Sequence, residues 1–471
     1  MLLTSGAAVL NSAAGPLTRF AYASETAGRP AVADRRFSSP AIESVISDTS
    51  RRIADRRLAS MFEQCFPNTL DTTVFFDNQR SLPDTFIITG DIDAMWLRDS
   101  SSQVWPYLRF AKQDPRLQAM LQGVVRRHAR SILIDPYANA FMRTTEDAPL
   151  SWARKDDTRM LPGVAERKWE VDSLCHVVRF AYGYWRNTGD STPFDATWKA
   201  SAWKIVETFR EQQRKNGLGP YKFQRSSRVP TDTLPLGGYG NPARPNGLIF
   251  SMFRPSDDAC IYPLFIPANL FAVQALSHLT ELAHKVAQDE QLAKACDDMR
   301  RDIHSALTQW GTVQHSTVGT IWAYEVDGYG NALMMDDAGI PSLLSLPYLG
   351  CCPSNDPLYQ RTRRFVLSPD NPYFIAGRAG KGVGSPHAGL SNIWPMGIIV
   401  QAMTSEDDRE IVQCLRWLRD TTAGTGFIHE SFNKDDPSHF TRRWFAWANT
   451  LFGELILTLM EKKPSLLRAA L

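Results

Sequence analysis

The sequence lacks the short motifs that announce a chemistry by themselves. It has no Gly-Lys-Ser/Thr phosphate loop, no His-Glu-x-x-His pair and no Gly-x-Ser-x-Gly elbow. It also lacks charge of one sign: 52 basic residues face 50 acidic ones, a formal net charge of +2. That balance gives no electrostatic reason to expect nucleic acid or an anionic membrane as partner. Cysteine is sparse and unpatterned. Cys65, Cys175, Cys260, Cys296, Cys351, Cys352 and Cys414 are an odd number without a C-x-x-C pair, so neither a disulfide framework nor a structural zinc site is expected. Beyond the N-terminus, no stretch approaches the roughly 18 unbroken apolar residues of a membrane span.

What is present is a large soluble composition. At 471 residues the length corresponds to about three average domains or one large repeat-built domain. A chain of this size buries roughly three quarters of its unfolded surface and needs no metal or disulfide to hold a core. Aromatic residues are abundant, with 13 Trp. They suit a large aromatic core or platforms on which sugars stack.

Residues 1–40 differ from the rest, being rich in Ala, Ser, Thr, Gly and Pro, and they read as a flexible N-terminal segment. Ala21-Tyr22-Ala23 has the small-x-small form of a signal-peptidase site. No charged region precedes Leu2, and the apolar run is broken by Thr4, Ser5 and Gly6. The segment therefore fits an export signal, placing the protein in the periplasm or outside the cell, or a loose tail on a cytoplasmic protein.

From residue 41 to 471 the spacing predicts one catalytic unit dominated by helices. Apolar residues from Ile42 to Cys65 line one face, and further helices are predicted over 99–112, 115–134, 169–188, 197–215, 264–286, 288–310, 339–349, 357–367, 389–404, 406–421 and 440–462. No βαβ alternation or sequence repeat appears, and strand candidates such as 84–89 and 318–325 are few. Short connections alternate with long ones, at 135–168, 216–263, 311–338 and 368–388. Structureless loops of such length belong to sites. Helical hairpins with their long loops gathered at one end describe an all-α toroid around a funnel.

Functional residue types concentrate in those loops. TGDIDAMWLRDS, residues 89–100, packs Asp91, Asp93, Trp96, Arg98 and Asp99 ahead of a helix. One carboxylate could be its N-cap. Three carboxylates with a Trp and an Arg suit gripping a polyhydroxylated ligand better. FRPSDDA, residues 253–259, holds Arg254, Asp257 and Asp258 between apolar stretches. Adjacent carboxylates repel, and desolvation raises the pKa of at least one, as a general acid requires; a Ser-Asp-Asp helix cap paired with Arg254 is the structural alternative. GFIHESF, residues 426–432, places Glu430 in a hydrophobic loop beside His429, as a salt-bridged core residue or a catalytic base. SPHAGLSNIWPMG, residues 385–397, with His387, Asn392 and Trp394, and WEVDS, residues 169–173, read as pocket walls. Asp336 and Asp337 read as loop-ordering. Paired carboxylates without a metal or cofactor motif fit glycosidic bond cleavage.

With YEVDGYGNALMMDDAG, residues 324–339, these segments in this order resemble glycoside hydrolase family 125, the exo-α-1,6-mannosidases, over residues 40–462. The resemblance implies an (α/α)6 barrel and a metal-independent, cofactor-free enzyme that releases mannose from a non-reducing end with inversion. It implies Asp257 as general acid, with Asp258 as the alternative, and Glu430 as general base. It implies a substrate pocket lined by Asp93, Trp96, Arg98, Asp99, Arg254, Asp258, His387, Asn392 and Trp394. An α-mannoside glycan is the expected partner, with neither nucleic acid nor membrane, and a monomer is expected. Another toroidal glycoside hydrolase, or an inactive glycan-binding protein of the same fold, is the alternative.

Overall fold

A computed structural model describes residues 28–79 and 82–469. The small-x-small site at Ala21–Ala23 lies outside the described residues. Part of the segment expected to be flexible is packed: Phe37 is buried, and Arg29 is paired with Glu43 at 2.6 Å and Asp71 at 2.8 Å. The folded unit therefore begins before residue 41.

Among the described residues there are twelve α-helices of eight or more residues. They are α1 (Pro40–Ser50), α2 (Arg56–Cys65), α3 (Leu97–Val104), α4 (Pro115–Ile134), α5 (Val171–Thr188), α6 (Ala196–Gln212), α7 (Ile266–Leu282), α8 (Glu290–Trp310), α9 (Pro357–Val366), α10 (Pro395–Met403), α11 (Asp408–Asp420) and α12 (Ala446–Lys462). Helix α3 packs on α5, α5 on α7, α10 on α12, and α12 back on α3. Residues 338–350 fill the place between α7 and α10, Gly350 lying against Gln274 and Ala338 against Gly397. The circuit closes, and α2, α4, α6, α8, α9 and α11 stand outside it. This is the (α/α)6 toroid.

Residues 339–349 are a correction to the sequence reading. They form successive turns, with Ser345 N–H donating to Ser342 and Leu349 N–H to Ser345. Pro347 removes a donor that a helix would need and its ring crowds the preceding turn, although Leu343, Leu344, Leu346 and Leu349 are buried as an inner helix would be. The first apolar stretch also divides into α1 and α2.

The two rings start differently, and the sequence encodes the difference. Each outer helix has an aspartate N-cap whose side chain accepts a first-turn N–H: Asp55, Asp114, Asp195, Asp289, Asp356 and Asp407. Each such cap is worth about 1 kcal/mol. The inner helices instead start from extended residues, Trp96, Glu170, Phe265, Trp394 and Phe445, that make no side-chain cap bond. Their first N–H groups are taken by the neighbouring loop around the ring. Leu97 N–H donates to the Asn139 carbonyl, Val171 N–H to Ser251 Oγ at 3.1 Å, Ile266 N–H to the Tyr324 carbonyl and Ala446 N–H to the Thr89 carbonyl. The last of these joins the end of the chain to its beginning. Gly90 sits in this seam at φ 131°, where a Cβ would lie 2.3 Å from the Trp444 carbonyl oxygen. Only glycine fits there.

Short strands brace the loops at this end. Strand β1 (Met95–Trp96) pairs with β2 (Ala140–Phe141), which pairs with β3 (Val164–Glu166). Strand β4 (Asn392–Ile393) pairs with β5 (Ser431–Asn433), and β5 with β6 (Phe440–Thr441). All these pairings are antiparallel; one sheet ties the segment preceding α3 to that preceding α5, and the other ties the segment preceding α10 to that preceding α12.

Candidate active site

The centre of the site is Arg98, in the first turn of α3 and almost fully buried. Its Nη1 lies 2.5 Å from Glu170 and 3.4 Å from Asp172, its Nη2 3.2 Å from Asp257, and its Nε 3.5 Å from Asp99. Glu170 is the residue before α5 and Asp172 is in its first turn, so both carboxyls are delivered by one helix start. One guanidinium thus serves four carboxyl groups away from water. Buried charge without a partner is far too costly, so such a cluster keeps protons. Burial raises Asp99 to about 6 against the pull of Arg98, and Asp172 also to about 6. Burial raises Glu170 further, with Asp257 and Asp172 adding repulsion that Arg98 does not cancel.

Asp257 occupies a tight turn in which its N–H donates to the Arg254 carbonyl and Arg254 N–H donates to the Asp258 carbonyl. Its φ is 66°, a left-handed conformation that Asp tolerates better than most residues. Lys168 Nζ donates to its main-chain carbonyl at 2.7 Å, and Asn139 Nδ2 to its carboxylate at 3.4 Å. At 26% exposure its side chain is the most accessible of the four around Arg98. Burial pushes its pKa up, but Arg98, a hydrogen bond from Glu170, and the charges of Lys168 and His387 hold it below the usual carboxylate range. This corrects the expectation from sequence. Repulsion between neighbours 257 and 258 does not raise Asp257; the strongly raised carboxyl beside Arg98 is Glu170.

Asp258 faces another way. Its Oδ1 accepts from Thr231 Oγ1 at 3.0 Å and lies 3.4 Å from His387 Nδ1. Burial lowers the His387 pKa, but Asp258, with the charges of Glu430 and Asp257, outweighs it and raises the group to about 9. At neutral pH an imidazolium therefore stands beside the carboxyl groups of Asp258, Glu430 and Asp257. Trp394 meets the His387 ring edge-to-face at 6.4 Å.

Glu430 approaches from the loop before α12. Its Oε2 accepts from Thr441 Oγ1 at 3.0 Å, and its Oε1 lies 3.4 Å from Arg442 Nη1. Arg442 also grips Asp91 at 2.5 Å and Thr89 at 3.2 Å, which ties the Glu430 loop to the segment entering α3. Behind the site Asp337 accepts from Ser256 Oγ at 3.3 Å and from Ser385 Oγ at 3.0 Å. One buried carboxylate thereby fixes the turn carrying Asp257 and the loop carrying His387.

The structure brings together Arg98, Asp99, Asp257, Asp258, His387, Trp394 and Glu430, through contacts or through the charges they exert on one another. Trp96 is buried at the start of α3 with its indole N–H unpartnered. Three expected pocket residues stand otherwise. Asp93 is 73% exposed and its one hydrogen bond is to Arg143 at 3.4 Å. Arg254 is buried in an ion pair with Glu325 at 2.7 Å, and Glu325 also accepts from the N–H groups of Ile261 and Tyr262, so this arginine anchors its loop. Asn392 donates its amide to the Ala388 carbonyl at 2.9 Å and shapes the turn that presents His387. Glu170 and Asp172 were legible only as a pocket wall. Lys168 and Asn139 carried no local signal, since each acts through a residue distant in sequence, whereas Arg442 stands out in sequence among the polar residues between Glu430 and the aromatic-rich last inner helix. Among the described residues, no group of three or more His, Cys, Asp or Glu is arranged to hold a metal ion, and no helix is long and apolar enough to cross a membrane.

Residues 55–457 match the family described as metal-independent α-mannosidases, GH125. The meiotically up-regulated gene 157 protein of Schizosaccharomyces pombe is 43% identical over 456 residues, covering 93% of this chain and 89% of that protein. A Streptococcus pneumoniae protein, described as one of a family of metal-independent α-mannosidases, was solved in a non-productive complex with α-1,6-mannobiose. It superposes with a TM-score of 0.87 at 37% identity, covering 91% of this chain and all of that one. A further glycosidase, 12% identical with a TM-score of 0.53 over 85% of this chain and 96% of its own, shares the fold.

Proposed function

The chain belongs to glycoside hydrolase family 125, the metal-independent α-mannosidases, and we propose that it is an inverting exo-α-1,6-mannosidase with Asp257 as general acid and Glu430 as general base. The observation that carries this reading is the different footing of the two carboxyls. Asp257 is the exposed member of a buried group that must hold protons. Glu430 is held by the Thr441 hydroxyl and by Arg442, outside the group around Arg98. His387 feels the charge of both, so the two flank a common space. Asp258 pairs instead with the His387 ring and the Thr231 hydroxyl, away from Arg98, a footing that suits orienting sugar.

In this reading Asp257 protonates the glycosidic oxygen as the C1–O bond breaks. Glu430 takes a proton from a water that attacks C1 from the opposite face. Inversion requires carboxyls roughly 6.5–9.5 Å apart to admit that water. The α-1,6 linkage is supported by the mannobiose held by the Streptococcus relative.

The test is to incubate the protein with α-1,6-linked mannobiose and follow the anomeric protons by NMR from the first minutes. β-Mannose ahead of mutarotation is expected. α-Mannose appearing first would make Glu430 a nucleophile and overturn inversion. Absence of release from mannobiose, with release from another linkage, would overturn the linkage.

A further inference from the structure

The acid of an inverting glycosidase must hold a proton at working pH, yet the surroundings of Asp257 favour its anion. The resolution lies in its neighbour. Glu170 has no solvent-exposed side-chain surface and cannot meet a substrate. Arg98 spans its carboxyl and that of Asp257, at 2.5 Å and 3.2 Å, and each carboxyl influences the other's hold on a proton. Ser173 Oγ donates to Glu170 at 2.8 Å and Arg98 to the same oxygen, so Oε2 is supplied with donors, whereas among the described residues no donor reaches the buried Oε1. A buried carboxyl oxygen without a donor, on a carboxyl that shares a guanidinium with a second one, suits a proton held between the two.

We propose that Glu170 is a positioning residue that stores the catalytic proton for Asp257, the two carboxyls holding a single proton between them across the neutral range. The inference rests on the reading of Asp257 as the acid. Glu170 is the resting place, and Asp257 is the end from which the proton leaves. In the productive form the proton is on Asp257 and Glu170 is the anion facing Arg98. The Asp257 O–H bond then breaks as the leaving oxygen gains its proton. The C1–O bond breaks, the C1–OH bond forms, and Glu430 holds the proton taken from water. After product departs, the pair regains one proton from solvent and Glu430 loses one. No other reactant is needed.

The groups facing the pair are consistent with one stored proton. From α3 come Arg98 and Asp99; from α5 comes Asp172; from the loops come Lys168, Asn139 and His387. Asp99 and Asp172 titrate near 6, so around neutral pH they add negative charge that keeps the pair from losing its proton.

Glu170→Gln tests the proposal, using pH profiles of kcat/KM on α-1,6-mannobiose and on an aryl α-mannoside whose leaving group needs no proton. In the wild type the alkaline limb for mannobiose should lie well above the ordinary carboxyl range. In the variant Asp257 is left with Arg98 and loses the like charge that raised its affinity for a proton. The limb should therefore move at least one pH unit toward acid, and kcat at neutral pH should fall about 100-fold with KM within about threefold. The aryl substrate should lose much less. A folded variant whose limb does not move, or which loses both substrates equally, overturns the proposal. If the glutamine variant does not fold, Glu170→Asp, whose shorter carboxyl withdraws from Asp257, must show the same acidward movement. A wild-type limb in the ordinary carboxyl range overturns the proposal without any variant. Failure of the wild type on both substrates would instead sink the functional reading.

Discussion

Lys168 donates its buried ammonium to the main-chain carbonyl of Asp257, at 2.7 Å, and not to the carboxylate of the same residue. The bond pins the backbone of a residue in the left-handed region, a conformation that costs a non-glycine residue of order 1 kcal/mol and persists only where its surroundings enforce it.

Replacing that lysine with methionine keeps the aliphatic stem over the Phe253 ring, 5.1 Å from the ammonium in the native protein, and removes the donor. Asp232, the other partner of Lys168, retains Arg225 at 3.0 Å, so the fold should survive. The expected result is a loss in kcat of about 10- to 100-fold with KM little changed, since the acid is displaced while the sugar still binds. Steady-state kinetics beside an unaltered melting curve would check it; an unchanged kcat would mean that the turn holds itself.

The two proposed catalytic carboxyls should respond differently to leaving-group ability. Asp257→Asn should reduce hydrolysis of mannobiose by about 100- to 10,000-fold and recover much of that on an activated aryl mannoside. Glu430→Gln should lose a comparable factor on both, because activating water is required whatever departs. Equal rescue of the two variants would show that the roles are misassigned.

His387 should titrate near pH 9 rather than near 6.5, measured from its ring protons by NMR and assigned with a His387→Asn variant. The sign follows from the folded value being raised. Stabilisation by its pairing with Asp258 is complete below about 6.5 and is lost as pH rises through about 9. With 43% of the side chain exposed, solvent screens this contribution and its effect on melting should be small. A midpoint near 6.5 would remove the imidazolium from the site.

Asp337→Ala should damage both stability and turnover. The Ser256 and Ser385 hydroxyls and the Gly339 N–H would lose their shared acceptor inside the protein. Each buried donor left unpaired costs about 1–3 kcal/mol. A fall in melting temperature together with reduced kcat is expected. A normal kcat in the surviving folded fraction would show that the two loops do not depend on a common anchor.

Much of the scaffold was readable because outer helices advertise themselves. Asp114-Pro115 and Asp356-Pro357 place a cap and a first-turn proline side by side, and both helices begin where the sequence places them. The segment 339–349 misled because its leucines are buried at helical spacing, while Pro347 removes a donor and crowds the preceding turn. Within the site, residue types were visible but their partnerships were not. Arg98 collects carboxyls from its own helix, from α5 and from residue 257, and no pattern local to any of these reveals the others. Asp257 and Asp258 look equivalent in sequence. A left-handed residue between Ser256 and Asp258 sends one carboxyl to Arg98 and the other to His387, and that separation exists only in three dimensions.

The seam between the first and last inner helices also sets an order in time. Thr89, Gly90 and Asp91 are synthesised early, whereas Arg442, Trp444 and Ala446, which they bind, come from the far end of the chain; Arg442 and Asp91 are 351 positions apart. Closing a ring through contacts so distant is slow relative to forming local hairpins. A nascent chain can place Arg98 beside Asp257 while the C-terminal segment is still unmade. In the roles proposed for Asp257 and Glu430, such a chain would hold the acid without the base, so hydrolysis would wait for the last inner helix to dock.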